Sequence, residues 1–237
     1  RAKQTLVVAG HREAAEVFRQ RGARYTALVA AGAVAHPGDV IAEIAGPLRA
    51  VLTAERVALN FLMHLSGIAT HTRDVIGDTT GIRVVDTRKT IPLMRAPERR
   101  AVCLGGGANH RFALYDGVLI KDNHILAAGG ITEAVRRARA VAHHLLRIEV
   151  EVETAEEARE AVACGADVIM LDNMDNAQMA AIVDELRGKA MFEASGNMTA
   201  ERLPALAGIG IDVVSIGGLI HQARWVDLSL KLVPTLA

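Results

Sequence analysis

The feature that most constrains this chain is a rhythm that begins near Ile82: short apolar runs alternate with longer, Ala-rich amphipathic stretches. The runs at 82–86, 118–121, 148–151, 168–172, 191–195 and 213–217 read as strands, and 131–145, 154–164, 176–187 and 199–209 as helices. Gly165 and Gly188 fall just after a last helical turn, where a residue with positive φ closes the helix. Thr132, Thr154 and Thr199 stand at helix starts, with Glu157 three residues after Thr154 as in a capping box. Strands separated by helices of this length pair in parallel, and the pattern predicts βαβ units closing into a barrel. Composition agrees: the chain is 51% hydrophobic but only 3% aromatic, so its core is built from Ala, Val, Leu and Ile. Such a core suits parallel strands covered by helices.

The ends of those strands carry the chemistry. In order they lead into Lys89, Lys121, Glu151, Asp172, Ser195-Gly196 and Gly217-Gly218. In a β/α barrel the C-terminal strand ends share one face, and that face holds the site. The stretch 86–124 adds Arg88, Arg95, Arg99, Arg100, His110, Arg111 and His124 round a Gly105-Gly106-Gly107 run. Cations at several strand ends suit a small, multiply anionic ligand, since Arg offers a planar fork to carboxylate or phosphate. The Ser195-Gly196-Asn197 and Gly217-Gly218 loops occupy the last two βα positions, where backbone N–H groups commonly bind phosphate. Glu151 and Asp172 either neutralise Lys89 and Lys121, coordinate Mg²⁺ on a pyrophosphate, or stabilise positive charge developing on a sugar ring. Glu149 and Glu153 share the face of Glu151 at period two, and Glu151 is the one placed to reach a ligand. His64, His143 and His144 read as packing or surface residues.

The remaining segments organise round this barrel. Residues 1–52 form a small α+β domain: a strand near Leu6, a helix over 11–21, and strands over 25–29 and 40–44 split by His36-Pro37-Gly38-Asp39 and ended by Gly46-Pro47. Residues 53–81 form linker helices, one starting at a Thr53 N-cap and ending at Ser66-Gly67, the next over 68–76. The barrel then occupies 82–217, and 218–237 returns to the first domain. The fold class is therefore α/β: a small N-terminal α+β domain, then an open, incomplete β/α barrel with about six parallel strands. Twenty-seven basic residues balance twenty-seven acidic ones, which gives no field that would attract nucleic acid or an anionic membrane. Cys103 and Cys164 lack metal or disulfide spacing, so a reducing compartment, the cytoplasm, is expected. No apolar run reaches the roughly 18 residues of a membrane span, and no signal peptide is read before the first strand.

DTRKT (86–90), GGGANHR (105–111), IKDNH (120–124), EVEVE (149–153), LDN (171–173), EASGN (193–197) and SIGGL (215–219) resemble quinolinate phosphoribosyltransferase. Residues 46–70 resemble that family's linker helix. The likeness runs through the whole chain in order. It implies transfer of phosphoribosyl from phosphoribosyl pyrophosphate to the ring nitrogen of quinolinate, with loss of CO₂, giving nicotinate mononucleotide and pyrophosphate on the way to NAD. By the resemblance, Arg88, His110, Arg111 and Lys121 hold the quinolinate carboxylates, and Arg56 is delivered by a partner subunit in a homodimer or higher even oligomer. Thr87, Lys89, Ser195, Gly196, Asn197, Ile216, Gly217 and Gly218 match further substrate contacts, Lys89 and the glycine loops to phosphates. Glu151 and Asp172 match carboxylates near the ribose and Mg²⁺, the expected cofactor. Lys89, Lys121, Glu151 and Asp172 are the expected catalytic group, acting by orientation and charge rather than as covalent nucleophiles.

Three departures stand out. Ile91-Pro92-Leu93 replaces the family's usual Pro-Gly after DTRKT, Gly217-Gly218-Leu219-Ile220-His221 differs from the usual Ala then Leu-Thr-His, and several dozen N-terminal residues of the family pattern are missing. Rival readings are a Schiff-base aldolase using Lys121, a molybdenum-operon sister protein, and a silent or altered-specificity member that binds an anionic metabolite. The cluster of Arg88, Lys89 and Arg111 speaks against the first, and NHR with IKDNH against the second.

Overall fold

Each apolar run predicted from the sequence becomes a strand in the computed structural model, which describes residues 1–233. In chain order the elements are β1 (Leu6–Val7), α1 (His11–Gln20), β2 (Arg24–Ala27), β3 (Val34–Ala35), β4 (Ala42–Ala45), α2 (Leu48–Ile76), β5 (Arg83–Val85), α3 (Arg95–Leu104), β6 (Val118–Ile120) and α4 (Asp122–Ala128). They continue with α5 (Ile131–Val141), β7 (Ile148–Val152), α6 (Ala155–Ala163), β8 (Val168–Asp172), α7 (Asn176–Leu186), β9 (Met191–Ser195), a 3-10 turn (Ala200–Arg202), α8 (Leu203–Ile209), β10 (Val213–Ser215) and α9 (Gly218–His221). They fall into two compact units: Arg1–Val75 with Lys89–Gly107 and 218–233, and Ile76–Arg88 with Ala108–Gly217. The segment 89–107, expected within the barrel, belongs to the first unit. The last four residues of the expected 218–237 segment lie outside the described residues.

In the first unit β1 pairs antiparallel with β3, and β2 with β4. Phe18, Leu6, Val8, Leu59, Leu62, Val226 and Leu228 share its core. Two expectations are corrected here. Residues 48–76 form one helix of 29 residues rather than two, and Thr53 is not its cap: its hydroxyl donates to the Arg49 carbonyl at 2.7 Å, inside the helix. Gly67 does not break the helix. A Cβ there would stand 2.2 Å from the Arg224 carbonyl oxygen, so this glycine lets another backbone pass. Beside it, Ser66 Oγ accepts the Ala9 N–H at 2.9 Å and donates to the Ala9 carbonyl at 3.1 Å. Helix α3 was hidden by its own Pro97, which lies in the first turn, where a missing N–H does no harm. Its Glu98 is fully buried, 2.7 Å from His64 Nε2 on α2, while its other oxygen accepts the Ile91 N–H at 3.0 Å.

The second unit is a six-stranded parallel sheet in the order β5-β10-β9-β8-β7-β6. The first strand pairs with the last and not with the second, which leaves the barrel open between β5 and β6. Thr154 Oγ1 accepts the Glu157 N–H at 3.2 Å as expected, but Glu157 reaches the N–H of Glu153 instead of that of Thr154. A complete capping box appears instead at Asp175 and Gln178, heading α7. Thr132 and Thr199 do not cap by side chain: α5 already starts at Ile131, and the Thr132 hydroxyl donates to Glu160. Among the described residues neither cysteine forms a disulfide, and no helix is long and apolar enough to cross a membrane.

Candidate active site

Of the residues expected at the site, Thr87, Arg88, His110, Arg111, Lys121, Glu151, Asp172, Ser195, Gly196, Asn197, Ile216 and Gly217 belong to the second unit. Arg56, exposed on α2, Lys89 and Gly218 belong to the first.

The strand register places the second group. Glu151 lies opposite Met170 and Asp172 opposite Ser195, so carboxylates and the Ser-Gly-Asn loop gather at the C-terminal ends of β7, β8 and β9. Lys121 follows β6 directly, and its Nζ pairs with a Glu151 carboxylate oxygen. The Lys121 N–H donates to His124 Nδ1 at 2.9 Å, fixing the turn from strand to α4. Asp172 Oδ2 accepts from Asn173 Nδ2 at 2.6 Å. Asn173 and Asn197 hold positive φ, a conformation Asn tolerates, and Gly196 lies between two loops so close that a Cβ would meet Asn173 Oδ1 at 2.1 Å. Asn173, Gly196, Asn197 and Arg202 line one cavity of about 430 Å³ there. Arg202 holds its rim by donating to the Met174 carbonyl at 3.0 Å and to Asn176 Oδ1 at 2.9 Å.

The loop that follows the Gly run is pinned at several points. Asp86 is fully buried, and its Oδ1 accepts the His110 N–H at 3.0 Å. His110 Nε2 stands 3.2 Å from Glu149 Oε2 and 3.5 Å from Glu193 Oε1. Its Nδ1 accepts the Arg111 N–H at 2.7 Å, and Arg111 Nη1 donates to the Gly117 carbonyl at 2.9 Å. Burial drives charge off the His110 ring, but the two facing carboxylates outweigh it and push the ring up to about 10. The Arg111 amide opposes a doubly protonated ring, because an imidazolium has no acceptor at Nδ1. Burial, reinforced by Glu193, raises the Glu149 carboxyl although His110 works against it. With Nδ1 accepting the Arg111 N–H, the ring's hydrogen lies on Nε2. Burial first and then the charge of Arg88 pull Arg111 below its ordinary value. The charges of Arg88 and Arg111 therefore act on each other at the end of the parallel sheet.

Glu149, Glu193 and Asp86 had no role in the sequence reading beyond their places in the motifs. The signal was available: a carboxylate inside an apolar strand, as in Ile148-Glu149-Val150 and Phe192-Glu193-Ala194, must have a buried partner.

An open parallel β/α sheet with cations, carboxylates and a glycine loop at its C-terminal strand ends defines the class: a barrel enzyme for small anionic substrates. A family model described as quinolinate phosphoribosyl transferase, N-terminal domain, matches residues 1–66, and its C-terminal-domain counterpart matches residues 68–231. The chain belongs to the quinolinate phosphoribosyl transferase family. It is 49% identical over 203 residues to a probable nicotinate-nucleotide pyrophosphorylase (carboxylating) of Bacillus subtilis, covering 85% of this chain and 70% of that protein. The human nicotinate-nucleotide pyrophosphorylase (carboxylating) is 37% identical over 238 residues, covering 98% of this chain and 80% of that one. A crystal structure of a NadC deletion mutant superposes with a TM-score of 0.94 at 42% identity, over 100% of this chain and 85% of that one. NadC from Streptococcus pyogenes gives 0.91 at 43% identity, over 97% and 83%.

Proposed function

We propose that the protein transfers the phosphoribosyl group of phosphoribosyl pyrophosphate to the ring nitrogen of quinolinate and releases CO₂, forming nicotinate mononucleotide and pyrophosphate. The observation that carries this reading is the half-buried Arg111 beside Arg88, at sheet ends that also hold Lys121, Glu151 and Asp172. A ligand with two carboxylates meets two guanidinium groups, and an ammonium at Lys121 completes the clamp. His110, which the family pattern also sets against the quinolinate carboxylates, supports that clamp by accepting the Arg111 N–H at Nδ1. The family pattern adds Lys89, Ser195, Gly196, Asn197, Ile216, Gly217 and Gly218 on the phosphoribosyl pyrophosphate side, Thr87 as a further substrate contact, and Arg56 from a partner subunit.

The ring nitrogen attacks the ribose C1, the bond from C1 to the pyrophosphate oxygen breaks, and pyrophosphate leaves. Positive charge spreads over the ribose ring in the transition state, next to Glu151 and Asp172 in this assignment. The ribosylated pyridinium then accepts the electron pair released as the adjacent carboxylate departs as CO₂, and the ring carbon takes a proton from water. The protein orients the two substrates and balances charge, and no covalent adduct is required. Mg²⁺ fits Glu151 and Asp172, because hard oxygen ligands from one or two carboxylates, completed by water and substrate phosphates, are its usual shell. When bound, it would neutralise phosphate charge and aid pyrophosphate departure. A reducing, cytoplasmic setting and a homodimer complete the proposal.

The test is incubation of the protein with quinolinate, phosphoribosyl pyrophosphate and Mg²⁺, with nicotinate in parallel, and mass detection of nicotinate mononucleotide. Product from quinolinate and not from nicotinate is expected. Product from nicotinate alone would reject the two-carboxylate clamp, and binding of quinolinate without turnover would identify a silent member of the family.

A further inference from the structure

The carboxylates of Glu149 and Glu193 are buried in the second unit, at 7% and 3% exposure, and the reaction as written uses neither. They come from β7 and β9, on either side of β8, and both face the ring of His110. Oε1 of Glu149 and Oε1 of Glu193 each have no hydrogen-bond partner among the described residues, a costly arrangement unless the groups are held there for a purpose. The ligand atoms of His110, Glu149 and Glu193 lie within 4.8 Å of one another, the spacing of a cation site. The ring geometry argues otherwise. Nδ1 accepts the Arg111 N–H, so a neutral ring carries its hydrogen on Nε2, and that nitrogen has no lone pair for a metal. Nε2–H is a donor that faces Glu149 Oε2 at 3.2 Å and, at the longer 3.5 Å, Glu193 Oε1.

This chain of contacts runs in one direction, from two strands, through an aromatic ring that cannot bend, to a backbone amide. The His110 N–H is fixed by buried Asp86, the ring by Glu149 and Glu193, and the Arg111 N–H by Nδ1. The far end of Arg111 is tied to the Gly117 carbonyl, and a Cβ at Gly117 would come within 3.3 Å of the Arg111 Cβ. Both the backbone at the base of Arg111 and the tip of its side chain are therefore held, and the hold on the base starts at the carboxylates. We propose that Glu149 and Glu193 are positioning residues that act through His110 on Arg111 and so set the affinity for the dicarboxylate substrate. This deepens the functional reading above and rests on Arg111 meeting a quinolinate carboxylate.

The experiment compares Glu193→Leu, which removes the acceptor while keeping volume, with Glu193→Gln, which keeps it. Arg111→Lys is run alongside in the intact protein. Glu193→Leu is expected to raise KM for quinolinate about tenfold or more, as misplacement of a substrate-holding group by a fraction of an ångström does. It is expected to leave KM for phosphoribosyl pyrophosphate within about twofold. Glu193→Gln is expected to return the quinolinate KM to near the wild-type value. A purely structural role would lower the melting temperature without separating the two KM values. Should Glu193→Leu not fold, Glu193→Asp, which withdraws the carboxylate by one methylene, carries the same expectation with a smaller rise. A raised quinolinate KM in Arg111→Lys with a wild-type value in Glu193→Leu or Glu193→Asp would overturn the positioning role alone. An unchanged KM in Arg111→Lys would overturn it together with the substrate assignment of Arg111.

Discussion

Leu93 is the residue whose backbone and side chain disagree most. Its φ is +66, in the left-handed region, and its side chain is wholly exposed, so no packing repays the strain. It sits in the loop that Glu98 anchors through the Ile91 N–H, where the family pattern has glycine. Leu93→Gly removes the clash of Cβ with the carbonyl but adds freedom to the unfolded chain, and the net gain is expected to be about 0.5 kcal/mol. Leu93→Val, β-branched at positive φ, should lose about 1 kcal/mol or more. Thermal unfolding should therefore rank the three as Gly, Leu, Val, and any other order would contradict the strain. The glycine-to-leucine exchange was legible in the sequence, but its backbone angle was not. The same holds at Glu149 and Glu193, whose residue type was visible while their common partner, His110, lies far away in sequence.

Elements were readable where their signal is local. The strands β8 and β9 match the apolar runs at 168–172 and 191–195 residue for residue, and Gly165 and Gly188 end their helices at φ of 81 and 74. Elements defined by distant contacts were not. Gly67 looks like a helix terminator, yet the reason for it is the Arg224 carbonyl some 150 residues on, and α2 runs through it. Short α4 was masked by its charged start, and α3 by proline and glycine. The Gly67 contact makes a prediction that helix propensity alone would reverse. Gly67→Ala should gain about 1 kcal/mol in an isolated helix. In the protein the added methyl meets a backbone carbonyl that cannot step aside as a side chain can, and the expected net loss is about 2 kcal/mol or more. Denaturant unfolding with an unchanged slope would measure it. A stabilised Gly67→Ala protein would mean the close approach is not tight.

For the molecule as a whole, alternation of strands and helices revealed the parallel barrel, because each βαβ unit is written in consecutive residues. Where the barrel stays open was not legible: the choice of β10 rather than β6 as the neighbour of β5 depends on contacts between the two ends of the unit. Assembly is the remaining level, and Arg56 tests it. It stands exposed on α2, on a helix that also exposes Leu48, Leu52 and Val57, and in the proposed homodimer it serves the partner's site. Arg56→Ala and Arg111→Ala should each lose most activity. If Arg56 acts across subunits, a hybrid dimer of the two variants puts both lesions in one site and leaves the other intact. Random mixing after reversible dissociation then makes roughly a quarter of all sites wild type, so activity should return to about that level. If Arg56 acts within its own chain, each hybrid site carries one lesion and mixing restores nothing. The outcome turns on which chain supplies the arginine, and the separate variants, assayed unmixed at the same concentrations, set the baseline.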